Sequence, residues 1–243
     1  MPRFLDHFTG QPDSRPFGVI LANLGTPDSP DTSSVRRFLR QFLSDPRVVE
    51  LPKPLWWLIL NGVILVIRPS RSAAAYRKVW TKDGSPLMVN AKAQIDALEK
   101  TLRQQAINHA QVRCAMRYGE PSLMQVMQEF GALGVDRIVV IPMYPQYSGS
   151  TTGSVLDDVY ACTSRLRRVP SIRFINGYAD HDQYIESLRV SVKEHWERNG
   201  QADRLVISFH GLPQNFCDNG DPYNDQTHPV SYTHLTLPTI LLV

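Results

Sequence analysis

The chain has 243 residues, of which 42% are hydrophobic and 20% are charged, and its formal net charge is +3. This length and composition suit one large or two small globular domains. The small charge excludes the strongly basic surface of a nucleic-acid-binding protein, so nucleic acid is not an expected partner.

Cysteine usage and the first residues favour an intracellular protein. The three cysteines, Cys114, Cys162 and Cys217, are widely spaced and form no metal-ligand motif, which favours a reducing compartment. Residues 1–16 are polar, contain three prolines and lack an apolar run. We therefore expect a disordered lead-in without a secretory signal, and a cytoplasmic location.

Apolar runs and amphipathic stretches alternate along the chain. Residues 17–24 form an apolar run that predicts a first buried strand. A helix is expected to follow, capped by Ser33 or Ser34 and ended by Asp45-Pro46. Further strands are predicted at 112–116, 137–143, 172–175 and 205–209, and further helices at 72–80, 87–105, 121–133, 154–167 and 180–199.

This alternation is typical of parallel sheets with right-handed crossovers, so the predicted fold class is α/β with two Rossmann-like parallel-sheet domains. We predict a boundary near Pro170, with a first domain at 17–170 and the start of a second at 171–229. Because no G-x-G-x-x-G fingerprint follows the first strand, a dinucleotide is not indicated.

The stretch 55–67 is the most hydrophobic of the chain and contains Trp56 and Trp57. Its length of about thirteen residues is too short for a membrane span, which needs about twenty. Two interpretations stay open: a core or lid helix, and an exposed apolar lip that admits a large apolar ligand and contacts a bilayer surface.

His210 follows the apolar run 205–209 and precedes Gly211 and Pro213, which interrupt regular structure. Ligands of parallel sheets bind outside the carboxyl ends of the strands, where this histidine is expected. Imidazole has an ordinary pKa of about 6.5, so it can take protons or bind Fe(II) or Zn(II). The alternative is a core histidine whose ring nitrogen is satisfied by a backbone carbonyl.

The loop at 144–153 lies between a predicted strand and a predicted helix and is rich in hydroxyl groups. Its hydroxyls and amides can bind an anion at a helix N-terminus, so a phosphate loop is one interpretation. The G-K-[ST] signature is missing from it. Ordinary packing is the alternative role for Tyr144 and Tyr147.

The run from Leu205 to Pro213, followed by Asp218-Asn219-Gly220-Asp221-Pro222-Tyr223, resembles the active-site signature of ferrochelatase. This enzyme inserts Fe(II) into a porphyrin in the last step of heme synthesis. Segments 20–27, 76–86, 116–121 and 144–153 also resemble ferrochelatase segments of the bacterial type, in the family's order. The resemblance covers residues 17–226 and implies two Rossmann-like domains facing across a cleft.

The resemblance implies that His210 is the catalytic residue and a metal ligand, and that Fe(II) and protoporphyrin IX are the substrates. Arginine binds carboxylates bidentately, which suits Arg77 and Arg117 to the porphyrin propionates. Leu24 favours protoporphyrin over coproporphyrin, because the family's coproporphyrin-using branch has tyrosine there. The complete set expected to bind substrate is Leu24, Tyr76, Arg77, Arg117, Tyr118, Tyr144, Ser148 and Thr151.

No resident cofactor is expected, because Fe(II) is a substrate and Gly149 stands where some ferrochelatases carry an iron–sulfur cysteine. Peripheral contact with a membrane is expected from the apolar lip. Two alternatives stay open: a related tetrapyrrole chelatase of the cobalt-inserting kind, and a non-enzymatic module that binds a porphyrin or an anion.

Residues 230–243 do not continue the family's pattern and resemble the translated product of a transposase-type sequencing adapter. We therefore expect a non-native tail, without a helix before it, and an incomplete second domain. The family's second catalytic carboxylate lies beyond the matched segments. On this reading the chain is truncated, lacks that partner of His210 and is inactive.

Overall fold

The computed structural model describes residues 16–232 and 240–242, with side chains described as far as Thr227. The expected lead-in at 1–16 lies outside the described residues except for Pro16, and so does much of the expected tail at 230–243. The chain divides into two compact units. The first runs to Met143 and includes Gly153–Ile175, and the second contains Tyr144–Thr152 and the chain from Asn176 onward.

A four-stranded parallel sheet forms the centre of the first unit, in the order β2-β1-β3-β4. Val19 of the central strand is in register with Val112 on one side and with Val139 on the other. The predicted α/β class with a parallel sheet is therefore confirmed. The strands are β1 (Phe17–Gly25), β2 (Ala110–Tyr118), β3 (Arg137–Pro142) and β4 (Ser171–Phe174).

Side chains of β1 alternate between the two faces of the sheet, as the pleat requires. Val19 and Leu21 pack with Val112 against apolar side chains that include Ile95, Leu98 and Leu102. The opposite face carries Gly18, where an added Cβ would lie 2.4 Å from the ring of Phe130. Helices therefore cover both faces, which is the arrangement that buried parallel strands need.

Six helices belong to the first unit: α1 (Thr32–Leu43), α2 (Lys53–Ile59), α3 (Leu65–Val79), α4 (Pro86–Gln104), α5 (Leu123–Ala132) and α6 (Ser154–Thr163). The N-cap of α1 is Asp31, not the predicted Ser33 or Ser34. Its carboxylate accepts the amides of both serines, at 2.7 and 3.0 Å. One carboxylate thus satisfies two of the amides that a helix start leaves unpaired.

Helices α2 and α3 are joined by a π-helical turn, Leu60–Ile64, into one run from Lys53 to Val79. The apolar stretch at 55–67 and the helix predicted at 72–80 therefore belong to one run, which contains Pro69. Proline removes the N–H that would serve the carbonyl four residues earlier. That carbonyl is Leu65 O, and the side chain of Arg36 donates to it at 3.0 Å. The helix therefore continues through Pro69.

This run has 27 residues, so the expected length of about thirteen was wrong. Of its most apolar 18-residue stretch, 22% is buried. By length and composition it is a candidate membrane span. One side packs into the first unit through Leu60 and Leu65. The other leaves six large apolar side chains 49–63% exposed: Leu55, Trp57, Leu58, Val63, Val66 and Ile67.

The second unit contains β5 (Leu205–Ile207) and β6 (Ile240–Leu242), which pair in parallel, and α7 (Asp182–Asn199), α8 (Gln214–Asp218) and α9 (Tyr223–Tyr232). The run 205–209 was predicted to be buried, but β5 has three residues and Val206 is 60% exposed, because a two-stranded sheet supplies few neighbours. Helices α8 and α9 occupy a segment for which no helix was predicted.

Two further differences concern boundaries. Strand β4 pairs with β3, so the first unit extends to Ile175 and past the boundary predicted near Pro170. The main chain of Ile240–Leu242 pairs with β5, in the tail that sequence reasoning left out of the fold.

Candidate active site

His210 lies three residues after the end of β5, and its side chain is exposed. The ring atom Nδ1 is 2.7 Å from the carbonyl oxygen of Gly211. A carbonyl accepts hydrogen bonds, so Nδ1 carries the proton and Nε2 presents its lone pair. This tautomer leaves Nε2 able to accept a proton or bind a divalent metal ion. Its exposure distinguishes His210 from a packed core histidine.

The loop Tyr144–Thr152 in the second unit is held by residues that follow His210 in the chain. The carboxylate of Asp221 accepts the hydroxyl of Ser148 at 2.9 Å and the amide of Gly149 at 2.7 Å. The side-chain oxygen of Gln226 accepts the amide of Tyr147 at 2.7 Å. Ser148 is 2% exposed, so the bond to Asp221 is shielded from water.

Two further loop amides bond within the loop. Ser150 N donates to the Ser148 hydroxyl at 3.3 Å, and Thr151 N donates to the Ser148 carbonyl at 3.2 Å. The Thr151 hydroxyl also donates to that carbonyl, at 3.3 Å. A phosphate would have to displace these acceptors, including the Asp221 carboxylate. The geometry therefore disfavours the phosphate-loop interpretation.

A cavity of about 560 Å³ lies beside this loop, lined by Tyr147, residues 176–180, Pro222, Asp225 and Gln226. Burial raises the pKa of the Tyr178 hydroxyl at its wall to about 12. The sequence-predicted residues Tyr144, Ser148, Thr151 and His210 are not part of this lining. Sequence reasoning did not predict the cavity, because its walls come from three separate stretches of chain.

In the first unit, Asp45 is the centre of a buried polar cluster. Its carboxylate is 2.6 Å from the guanidinium of Arg117 and accepts the hydroxyls of Tyr118 at 2.8 Å and Ser154 at 2.5 Å. The Asp45 side chain is 3% exposed. Burial alone would raise its pKa, but hydrogen bonds from Ser154, the Arg47 amide and Tyr118, with the Arg117 charge, outweigh burial and lower the pKa below its ordinary value.

This cluster gives Arg117 and Tyr118 a structural role, and the substrate contact expected of them stays a prediction. Arg117 Nε also donates to Ser154, at 2.7 Å to the hydroxyl and 3.0 Å to the carbonyl, so two of its nitrogens are engaged. Tyr118 is 2% exposed, and burial raises the pKa of its hydroxyl. Both side chains thus tie β2 to the start of α6 and to the loop after α1.

Leu24 and Tyr76 pack, both half-buried, against one apolar cluster that includes Phe38, Leu60 and Tyr118. The position of Leu24 is fixed by Gly25, whose φ is +107° and where a Cβ would lie 1.7 Å from the Tyr118 carbonyl. Burial raises the pKa of the Tyr76 hydroxyl. The exposed Arg77 donates one bond to the carbonyl of Pro30 at 3.1 Å.

The predicted site residues therefore fall into two sets. Leu24, Tyr76, Arg77, Arg117 and Tyr118 belong to the first unit, whereas Tyr144, Ser148, Thr151 and His210 belong to the second. Their convergence on one cleft stays a prediction. Among the described side chains, no group of three or more His, Cys, Asp or Glu residues is placed to hold a metal ion.

Sequence reasoning did not predict roles for Asp45, Ser154 or Gln226. It included Asp221 in the run 218–223 but assigned it no role. Asp45 was read as a helix stop because Pro46 follows it. Its partners Arg117 and Ser154 are 72 and 109 residues away in sequence, and a single sequence contains no signal for that pairing. For Asp221, the signal was its place in the run that follows His210.

Comparison with known proteins agrees with the resemblance. The ferrochelatase family model matches residues 16–235. A ferrochelatase of Dechloromonas aromatica is 48% identical over 234 residues, which are 94% of this chain and 63% of that protein. Those of Alcanivorax borkumensis and Teredinibacter turnerae are 49% and 50% identical, covering 89% and 86% of this chain and 64% and 57% of theirs. The chain thus spans roughly three fifths of these bacterial relatives, and it belongs to the ferrochelatase family.

Proposed function

We propose that the protein carrying this chain inserts Fe(II) into protoporphyrin IX, and that His210 acts at the porphyrin nitrogens. The observation that carries the proposal is the exposed imidazole with Nδ1 bonded to the Gly211 carbonyl, which directs the Nε2 lone pair outward from the main chain. Family membership supports the reaction class.

Insertion replaces two pyrrole N–H protons by one Fe(II) ion, so a base must take each proton and pass it to water. A neutral imidazole is the side chain that ordinarily gains and loses a proton near physiological pH, so it suits this task. The same lone pair is also a ligand for Fe(II). Proton acceptance and metal binding at Nε2 both remain part of the proposal.

The first unit is proposed to contribute the apolar and anionic recognition of the macrocycle. Leu24 and Tyr76 present half-buried apolar surface on one cluster. Arg77 is exposed and donates to the Pro30 carbonyl through one nitrogen. It is therefore a better candidate to bind a propionate than Arg117, which uses two nitrogens within the protein. Tyr144 and Thr151 are proposed as further contacts of the macrocycle. We propose no resident iron–sulfur cluster, because Gly149 offers no thiolate in the loop.

The test is an insertion assay with the purified full-length protein that carries this chain, protoporphyrin IX and Fe(II), Co(II) or Zn(II) in competition. We expect Fe(II) insertion, with Zn(II) as a second substrate. Preferred Co(II) insertion would favour the cobalt-type chelatase. Tight porphyrin binding without insertion of any of the three ions would favour the non-enzymatic binding module.

We also propose that the exposed side of the helical run Lys53–Val79 is an apolar lip that rests on a bilayer surface. Six large apolar side chains on it are 49–63% exposed. Trp56 Nε1 donates to the Leu43 carbonyl at 2.6 Å, which ties the run to the end of α1. A cytoplasmic protein with such a lip can bind a membrane reversibly, and protoporphyrin, an apolar macrocycle, partitions there.

A further inference from the structure

The structure gives a role to the acidic residue of the run 218–223, which the proposed chemistry at His210 leaves without one. Asp221 lies between α8 and α9, and each oxygen of its carboxylate has a separate task. Oδ1 accepts the amide of Tyr223 at 3.0 Å, at the first residue of α9. Oδ2 accepts the hydroxyl of Ser148 and the amide of Gly149. One side chain therefore joins the start of α9 to the loop Tyr144–Thr152.

Gln226, one turn into α9, contacts the same loop. Its side-chain oxygen accepts the amide of Tyr147 at 2.7 Å. From another stretch of the second unit, Tyr178 N donates to the Pro145 carbonyl at 2.9 Å. Gly177 lies so close that an added Cβ would be 3.1 Å from the same carbonyl oxygen. Two separate stretches of the second unit thus bond to the loop.

We infer that Asp221 and Gln226, here called the loop anchor, are positioning residues that hold Tyr144–Thr152 in the conformation that binds porphyrin. This inference rests on the proposed function, because that function makes the loop a border of the porphyrin site. The loop anchor follows His210 in the same stretch of chain. It therefore links the loop to the segment that carries the catalytic imidazole.

The chemistry of the two side chains explains why these residue types are needed. The loop amides and the Ser148 hydroxyl donate hydrogen bonds, so the facing side chains must present oxygen acceptors to them rather than N–H groups. Carboxylate bonds of this kind contribute more than bonds between neutral groups. An Asn at 221 offers one oxygen and one NH₂ group, and so cannot serve both Tyr223 and the loop.

The experiment measures hydrogen exchange of the loop and porphyrin affinity in the same protein samples. In Asp221→Asn and in Gln226→Leu, we expect exchange of peptides covering 145–151 to rise roughly tenfold, as loss of one charged or buried hydrogen bond predicts. The KM for protoporphyrin should rise by a similar factor, with a smaller change in kcat, because the loop acts on binding.

Two matched controls separate loop anchoring from general damage. Asp218→Asn removes an equal charge three residues away, where the carboxylate contacts Gln214 at 2.9 Å rather than the loop. Gln226→Glu keeps the acceptor that Tyr147 uses. Both should leave loop exchange and porphyrin KM within about twofold of wild type, the range expected of exposed or conservative changes.

Loop exchange that is unchanged in Asp221→Asn and Gln226→Leu would overturn the inference, as would faster exchange with unaltered porphyrin affinity. A wild-type protein that neither binds protoporphyrin nor inserts metal is a different result. It would refute the proposed function, while the exchange comparison would still show whether Asp221 and Gln226 hold the loop.

Discussion

The carboxylate of Asp45 and the guanidinium of Arg117 lie 2.6 Å apart in the interior of the first unit. Asp45 follows α1, and Arg117 is near the carboxyl end of β2. Ser154, the first residue of α6, bonds to both. The Asp45–Arg117 pair and Ser154 thus connect the loop after α1, strand β2 and the start of α6. Arg117 and Leu24 both lie near the carboxyl ends of their strands.

Asp45→Asn should destabilise the first unit, because it leaves the Arg117 charge buried without its partner. We expect the free energy of unfolding to fall by about 3 kcal/mol, measured by urea denaturation. The control is Asp28→Asn, which breaks a pair with Arg37 whose side chains are 53% and 59% exposed. That change should cost about 0.5 kcal/mol or less. Equal losses in the two variants would contradict the importance of the buried pair.

Acid should remove the contribution of Asp45. Its pKa is lower in the folded than in the unfolded chain, so its stabilisation is complete above the unfolded pKa of about 3.9. It is lost as the pH falls through the lower folded value. The difference in unfolding free energy between wild type and Asp45→Asn should therefore be constant from pH 7 to about 5 and shrink below about 4. A difference that grows on acidification would refute this assignment.

His210→Ala should reduce metal insertion by at least tenfold while protoporphyrin affinity, measured by fluorescence quenching, changes less than about threefold. The reason is that the imidazole acts on the ring nitrogens, whereas apolar area holds the macrocycle. His195→Ala is the matched control, since His195 is also exposed in the second unit, on α7. Insertion at wild-type rate by His210→Ala would exclude His210 as the catalytic group.

Trp57→Ser should weaken binding to vesicles of mixed zwitterionic and anionic lipids by roughly tenfold, because a large aromatic side chain no longer enters the interface. Tyr160→Ser is the control: Tyr160 is 63% exposed on α6, and Trp57 is 62% exposed on α2. Co-sedimentation measures both. Equal loss of binding in the two variants would show that the lip is not the contact surface.

The first four strands could be predicted from sequence because each lies in a mainly apolar stretch, although Arg113 interrupts β2 and Arg173 interrupts β4. Such stretches are typical of parallel strands covered on both faces. Residues 17–24, for example, coincide with β1 to within one residue. The strand before His210 was less well predicted. Its apolar run resembles the others, but its burial depends on how many neighbours the sheet provides, and that number is not encoded in the run itself.

Residue type alone suggests chemistry for the imidazole of His210, whose catalytic role stays a prediction. The candidate site was not predictable where a side chain acts through distant partners. Arg117 is predicted to bind substrate, and two of its three nitrogens are engaged by Asp45 and Ser154. A guanidinium suits a propionate and a buried aspartate equally well, so only the fold decides between them.

The bond from Arg36 to the Leu65 carbonyl makes the helical run Lys53–Val79 depend on a residue outside it. Replacing Pro69 by alanine would restore the N–H that normally serves this carbonyl, and Arg36 would then be dispensable there. The effects of changes at positions 36 and 69 on stability are therefore non-additive. Loss of Arg36 should destabilise the protein that has proline at position 69 and have little effect when position 69 is alanine. How well the apolar lip tolerates mutation thus depends partly on Arg36 of α1, a helix that need not contact the membrane.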